Sequence, residues 1–291
     1  MKSIVQYGAY PIVLLACMMG NVLLFREGAG FLVSTYVPVA LGTLVVIALE
    51  SRLPYRTTWR PSTEEVVQDS TFLALVHVVL PKMLSIAAAF MIFEVFDGQG
   101  WLTYTWWPKE WSVLSQTLLM VFLVDGMRYW LHRISHEWEP LWRFHAIHHS
   151  PHRLYTLNVG RFHPIDKTLQ FLFEALPFIC LGVKEDVLSL YFVWYAVNGF
   201  FQHSNVDVRL GVLNYVVSGP ELHRWHHSMR KEEANHNYGN HLIVWDIVFG
   251  SRYLPTDREV EVLGLANRRY PGGFMDQMTA PYIPGIDKQT A

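Results

Sequence analysis

The sequence predicts an all-α protein: a polytopic membrane helix bundle of four spanning helices plus a further hairpin, under a cytoplasmic histidine-rich cap. Three observations carry that expectation. The 291-residue chain contains long stretches with no charged residue at all. It is 51% hydrophobic and only 16% charged, where a soluble domain carries about a quarter. Eight of its fourteen histidines fall into three boxes whose spacing suits one face of a helix.

A spanning helix needs about 20 apolar residues. Ser3 to Phe25 and Gly28 to Leu49 are free of charge and are joined by a short turn at Arg26-Glu27, which makes a hairpin of two spans. Ser70 to Phe96 is a third, with an interruption expected at Pro81-Lys82, and Val113 to Leu131 a fourth, with Asp125 and Arg128 in its last turns. Thr168 to Val183 and Val187 to Val206 form the further hairpin, either crossing fully or inserted in part. Lys2 before the first span and Arg52, Arg56 and Arg60 after the second put those ends in the cytoplasm. The third span then runs outward, so Trp101 to Trp107 with Trp111 fits an outer aromatic belt. The fourth returns, and all three histidine boxes reach the cytoplasmic side. The chain divides into N-terminal membrane helices (1–112), a catalytic region (113–255) and a polar tail (256–291), whose end, Pro271 to Ala291, is expected to be loosely ordered.

The boxes are His132/His136, His145/His148/His149 and His223/His226/His227. Neutral imidazole is the commonest side-chain ligand for iron, zinc and copper, and eight imidazoles suit two ions rather than one. Adjacent histidines diverge by about 100° around a helix, so one serves one ion and its neighbour the other. His203 is a ninth candidate ligand. Asp125, two turns before His132, is a candidate to orient a ligating ring, or else pairs with Arg128 or Arg133. His163 and Asn198 are candidate ligands or substrate-side polar groups, and His77 a polar group packing between helices. An all-nitrogen site is poor for magnesium or calcium and suits iron or zinc. Two irons activate O2, whereas zinc has no redox chemistry. Cys17 and Cys180 lie in apolar runs, are expected to be buried, and offer no disulfide framework. A formal charge of −2 gives nucleic acid no purchase.

These boxes and their surroundings resemble the fatty acid hydroxylase and sterol desaturase superfamily of membrane di-iron enzymes. Leu141-Trp142-Arg143-Phe144-His145 looks like that family's approach to its second box. Pro220 to Ser228 looks like its third, and Asn237-Tyr238-Gly239 with Trp245 to Gly250 like its closing signature. The resemblance covers about residues 113 to 253. It implies two irons, O2 as co-substrate, hydroxylation or desaturation of a lipid or sterol-like substrate, and electrons from an external donor protein with its reductase. Some relatives carry further histidines before the third box, where Asn198 and Gln202 stand here with His203 beside them. The tail is somewhat like that of the alkylglycerol monooxygenases and their bacterial relatives. The location expected is a bacterial inner membrane rather than the endoplasmic reticulum. Rival readings are a zinc-dependent membrane hydrolase, which would want an H-E-x-x-H absent here, and a metal- or haem-binding membrane protein without catalysis.

Overall fold

The computed structural model describes residues 2–96 and 106–288. Two long helices open the chain, α1 (Lys2–Arg26) and α2 (Gly30–Arg52), turned back through Gly28 and Gly30 at φ +76° and +70°, a conformation glycine adopts without a Cβ penalty. Both pack on the 19-residue α9 (Glu185–His203) through a core of Tyr10, Leu14, Val46, Val193, Val197 and Phe201. Buried polar pairs pin this trio. The Tyr10 hydroxyl donates to Asn198 Oδ1 at 2.7 Å, and Asn21 Nδ2 donates to Ser189 Oγ at 2.6 Å.

A continuous helical rod follows: α3 (Thr63–Phe72), a π-helical stretch Leu73–Val79, and α4 (Leu80–Phe96). Ser62 and Glu65 close a capping box at its start. The expected interruption at Pro81 does not occur. Pro81 has no N–H, and its ring would crowd the carbonyl of His77 in an α-helix. The wider π turn just before it relieves that conflict, with Leu80 N–H bonding Leu75 C=O. The rod also begins seven residues earlier than the uncharged run from Ser70.

Among the described residues, three helices are long and apolar enough to cross a membrane: Ile4–Arg26, Gly30–Arg52 and Thr63–Met91. Ile12, Leu15, Leu41, Leu44 and Phe90 stand exposed on them, a surface suited to lipid. The 25-residue α5 (Val113–Glu137) is equally long. Its outward face carries Leu118 and Phe122, and its buried face carries Asp125, Arg128 and His136. The fifth run is not one spanning helix. It breaks into α7 (Pro164–Glu174) and α8 (Leu176–Cys180), neither long enough to cross, because α7 ends at Glu174 and Pro177 opens the next turn. Within the expected aromatic belt, residues 101–105 lie outside the described ones. Trp106 is exposed, but Trp107 is buried, packed on Phe178 and donating to Gln116 Oε1 at 2.7 Å.

The remaining short helices form the cap: α6 (Glu139–His149), α10 (Pro220–His226), α11 (Lys231–Ala234), α12 (Val244–Val248) and α13 (Phe274–Thr279), with 3-10 turns at 156–160, 211–215 and 280–282. At Gly160 the first of these turns touches the π stretch so closely that a Cβ would meet Leu73 Cα at 2.7 Å. The tail is a packed strap rather than loose chain. Phe274 stacks edgewise on Phe72, Gln277 donates to Ser150 Oγ and Trp142 to Asp287 Oδ2, and Phe144 meets Tyr282. Its apolar side chains explain this, since Phe274, Met278 and Tyr282 cover the outer side of α6 and the rod. Of the two cysteines, Cys17 is buried and Cys180 is exposed, because α8 lies at the edge of the bundle.

Candidate metal centre

Four helices converge on one point. The end of α5 brings His132 and His136, and the end of α6 brings His145, His148 and His149. α9 ends on His203, and α10, started by Pro220 where a missing N–H costs nothing, carries His223, His226 and His227. The nine imidazoles separate into two groups. His132, His136, His145, His149 and His226 bring one nitrogen each within 4.8 Å of one another, and so do His148, His203, His223 and His227. The adjacent pairs His148-His149 and His226-His227 are divided between the groups, as the 100° step around a helix requires.

The donor set fits a cation. His132 Nδ1–H donates to the Tyr238 carbonyl at 2.8 Å, and His145 Nδ1 bonds Asp166 Oδ2 at 2.8 Å. Both Nε2 atoms then present lone pairs, yet they stand 3.0 Å apart. Two facing lone pairs repel, whereas 3.0 Å is the separation of neighbouring ligands around one ion with bonds of about 2.1 Å. His203 Nε2 and His227 Nε2 each lie 3.0 Å from His223 Nε2 in the second group. Buried nitrogens without a partner complete the five-histidine group: Nε2 of His136, His149 and His226. Burial, reinforced by neighbouring imidazoles, holds His148, His149, His223 and His227 well below the usual histidine pKa, and burial pushes His226 down to about 3. Neutral rings with free lone pairs are what a metal needs.

Outer contacts orient the rings. Asn235 Oδ1 accepts from His136 at 3.2 Å, the His236 carbonyl from His226 at 2.8 Å, and the Tyr238 carbonyl from His132. These three acceptors lie within four consecutive residues. That loop is fixed by Asn237 at φ +57° and by Asp246, whose carboxylate accepts the N–H groups of Tyr238 and Gly239 at 2.8 and 2.7 Å. Burial raises the Asp246 pKa to about 6. Burial would also raise Asp166, but its contact with His145 and the donated bond from Gln170 outweigh that and keep it below the usual carboxylate value.

A cavity of about 530 Å³ opens from the histidines. His132, His145, His148, His203 and His223 line one end. Phe31, Ile86, Phe171, Ile179 and Phe192 make the rest largely apolar, between α2, the rod, α7, α8 and α9. His77 lines it too, stacked between Phe162 and Tyr195.

Three expected site residues lie elsewhere. Asp125 touches neither His132 nor His136 and pairs with neither Arg128 nor Arg133. It is fully buried and accepts His241 Nδ1–H at 2.6 Å with the backbone N–H groups of His241 and Leu242, tying α5 to the cap. Arg128 faces Glu174 at 3.8 Å, and Arg133 bonds Glu137. His163 caps α7, its Nδ1 accepting from Ile165 N–H while Nε2 reaches the Met278 carbonyl. Asn198 bridges the Tyr10 hydroxyl to the Ser218 and Asn240 carbonyls, leaving no atom for a metal, and Gln202 holds the same two carbonyls. Residues not anticipated are Asp166, Asn158, which accepts from His203 Nδ1 at 2.9 Å, and Asn235. Asp166 was signalled by an acidic residue in a first turn opened by Pro164, close after His163.

The fatty acid hydroxylase family model matches residues 117–251. An ornithine lipid hydroxylase of Rhizobium tropici is 34% identical over 280 residues, covering 94% of this chain and 82% of that protein. Human alkylglycerol monooxygenase is 27% identical over 161 residues, 55% of this chain and 34% of that protein. A Delta(7)-sterol-C5(6)-desaturase of Nicotiana tabacum is 26% identical over 177 residues, 58% of each. No solved structure matches the chain.

Proposed function

The chain belongs to the fatty acid hydroxylase family, and on that premise we propose that it is an integral-membrane di-iron enzyme that uses O2 to hydroxylate or desaturate a lipid. It is an oxygenase of that family, and oxidation of a lipid C–H bond is its reaction class. One observation carries the rest of the reading: nine imidazoles in groups of five and four, eight of them buried and His132 partly so, with lone pairs converging at 3.0 Å beside an apolar cavity.

His132, His136, His145, His149 and His226 hold one iron, and His148, His203, His223 and His227 hold the other. Two irons bound there supply the two-electron activation of O2, with electrons drawn from a separate donor protein and its reductase. The protein's own groups do the remaining work. Asp166 and the loop 235–238 fix ring tautomers, and Phe162, stacked on His148 with centroids 4.2 Å apart, shuts water out of the centre. The apolar walls hold the chain to be oxidised. Residues 113–255 form the catalytic region, with 1–112 as its membrane helices. The basic residues flanking the first two spans support histidines on the cytoplasmic face, and the bacterial relative supports an inner membrane.

Elemental analysis of the protein purified in detergent from iron-supplemented cells tests this. About two irons per chain are expected, with iron-dependent oxidation of a lipid when a reductase system is added. A single zinc, or full metal content and lipid oxidation after His148→Ala or His226→Ala, would overturn it.

A further inference from the structure

Most of the cavity wall is apolar, yet a buried ammonium sits in it close to the histidines. Lys167 is 4% exposed. Its Nζ donates to the Tyr195 hydroxyl at 2.8 Å and to Gln170 Oε1 at 3.2 Å, both neutral. Among the described residues no carboxylate lies within ion-pairing distance of it. A buried cation without an anion is costly and is kept where something compensates it. Lys167 Nζ has a third N–H to give. Tyr195 accepts from Lys167 and so has its own O–H to give. His77, stacked on Tyr195, has a buried Nδ1 with no partner. Arg128 on the same wall reaches only Glu174, at 3.8 Å, and its buried Nε has no hydrogen-bond partner. Glu174 faces Arg128, and Asp166 bonds His145 and the Gln170 amide, so the nearest carboxylates are engaged elsewhere and Lys167 reaches Asp166 only through Gln170. The ammonium lies 5.7 Å from the centroid of the Phe162 ring, which itself stacks on His148 at 4.2 Å.

We propose that Lys167 and Tyr195 form the seat for an anionic oxygen group, a carboxylate or phosphate, carried at the head of the lipid substrate. The inference rests on the reading of the cavity as the lipid site, and it deepens that reading by naming the substrate's polar end. An ammonium and a hydroxyl with one open donor each make charge-assisted bonds to such a group, while the apolar walls take the attached chain. A neutral alcohol of the same length gains no ionic contact.

The test is equilibrium binding of radiolabelled palmitate and hexadecanol to the full chain in detergent at about pH 8. Wild-type protein should prefer palmitate by about tenfold, and acetate should not compete. Lys167→Met should erase the preference while keeping hexadecanol binding, and Lys167→Arg should retain it. Equal binding of the two ligands by the wild type, or a preference that survives Lys167→Met, overturns the proposal. Competition by acetate as effective as by palmitate identifies a free-anion site and overturns the lipid assignment. Loss of both ligands in both variants makes Lys167 structural and overturns it as well. Binding needs no iron, so failure here is separable from failure of the di-iron reading, which metal content and oxidation report.

Discussion

The five-histidine and four-histidine groups lie side by side, share two adjacent pairs of residues, and are held very differently. In the larger group four of five rings are oriented from behind: His132 by the Tyr238 carbonyl, His136 by Asn235, His145 by Asp166 and His226 by the His236 carbonyl. In the smaller group only His203 has such a partner, Asn158, while His148, His223 and His227 keep an Nδ1 with none. One half of the centre is preorganised and carries a carboxylate; the other is built from rings positioned mainly by packing. Orienting partners of this kind are worth about 10- to 100-fold in metal affinity. The two ions should therefore be held with unequal strength despite similar ligand counts.

The comparison is most forcefully broken by removing a ligand from each half at neighbouring positions. His226→Ala and His227→Ala should each lower lipid oxidation by about 100-fold or more, since both irons are needed, and each should cost about one iron per chain. Retained activity in either variant, measured with metal content, would remove that ion from the mechanism. Next in size is unequal release. A chelator added to the loaded protein should withdraw iron in two phases separated by about 10- to 100-fold, the four-histidine ion leaving first. A single phase would show that the outer contacts do not set affinity. A smaller effect separates the halves by their supports. Asp166→Asn should weaken only the five-histidine ion, by about tenfold or more, and Asn158→Ala only the other, which titration of each apo variant with iron would read.

In acid response the two halves should behave alike. Burial holds His226 at about 3 and His148, His149, His223 and His227 well below the usual value, while in the unfolded chain each titrates near 6.5. The unfolded state thus binds more protons, so stability rises with pH across this range. For the metal-free protein, stability present above about pH 6.5 is lost as pH falls toward the folded values. The midpoint of thermal unfolding should drop by about 2–4 °C per kcal/mol lost between pH 7.5 and 5.5. A flat profile would mean that the imidazoles are not buried as described.

The nine converging histidines were legible in the sequence because they obey local rules. Helical spacing gathers each box, the 100° step divides its adjacent members, and His203 stands at the end of an apolar run. The helical, membrane-suited architecture was legible for the same reason, since an uncharged run of 23 residues has few other uses. What could not be read were contacts between distant segments. Asp125 shares a phase with His132, but its partner His241 lies 116 residues away, and tertiary packing overrode the local inference. Asn198 was a candidate ligand one turn before Gln202, yet the carbonyls of Ser218 and Asn240 claim its amide. The strap after Pro271 looked polar in composition, while three apolar side chains decide its docking. Lys167 went unnoticed because a single charge in an amphipathic helix usually faces water, and here it faces the cavity.

The π turn between α3 and α4 has a consequence for how this chain tolerates change. Such a turn holds one residue more than an α-turn, so the two halves of the rod are offset by about 100° in rotation. Upstream, Asp69 points at Arg161 and Tyr155 and anchors the cap; downstream, Lys82, Ser85 and Ile86 point into the cavity. Deleting any single residue from Leu73–Val79 would remove the wide turn, return Pro81 to a clash with the carbonyl one α-turn before it, and rotate one of those faces away from its target. The segment is thus tolerant of substitution on its lipid side but intolerant of a change in length, and the extra residue acts as the phase-setter between anchoring and substrate-facing surfaces.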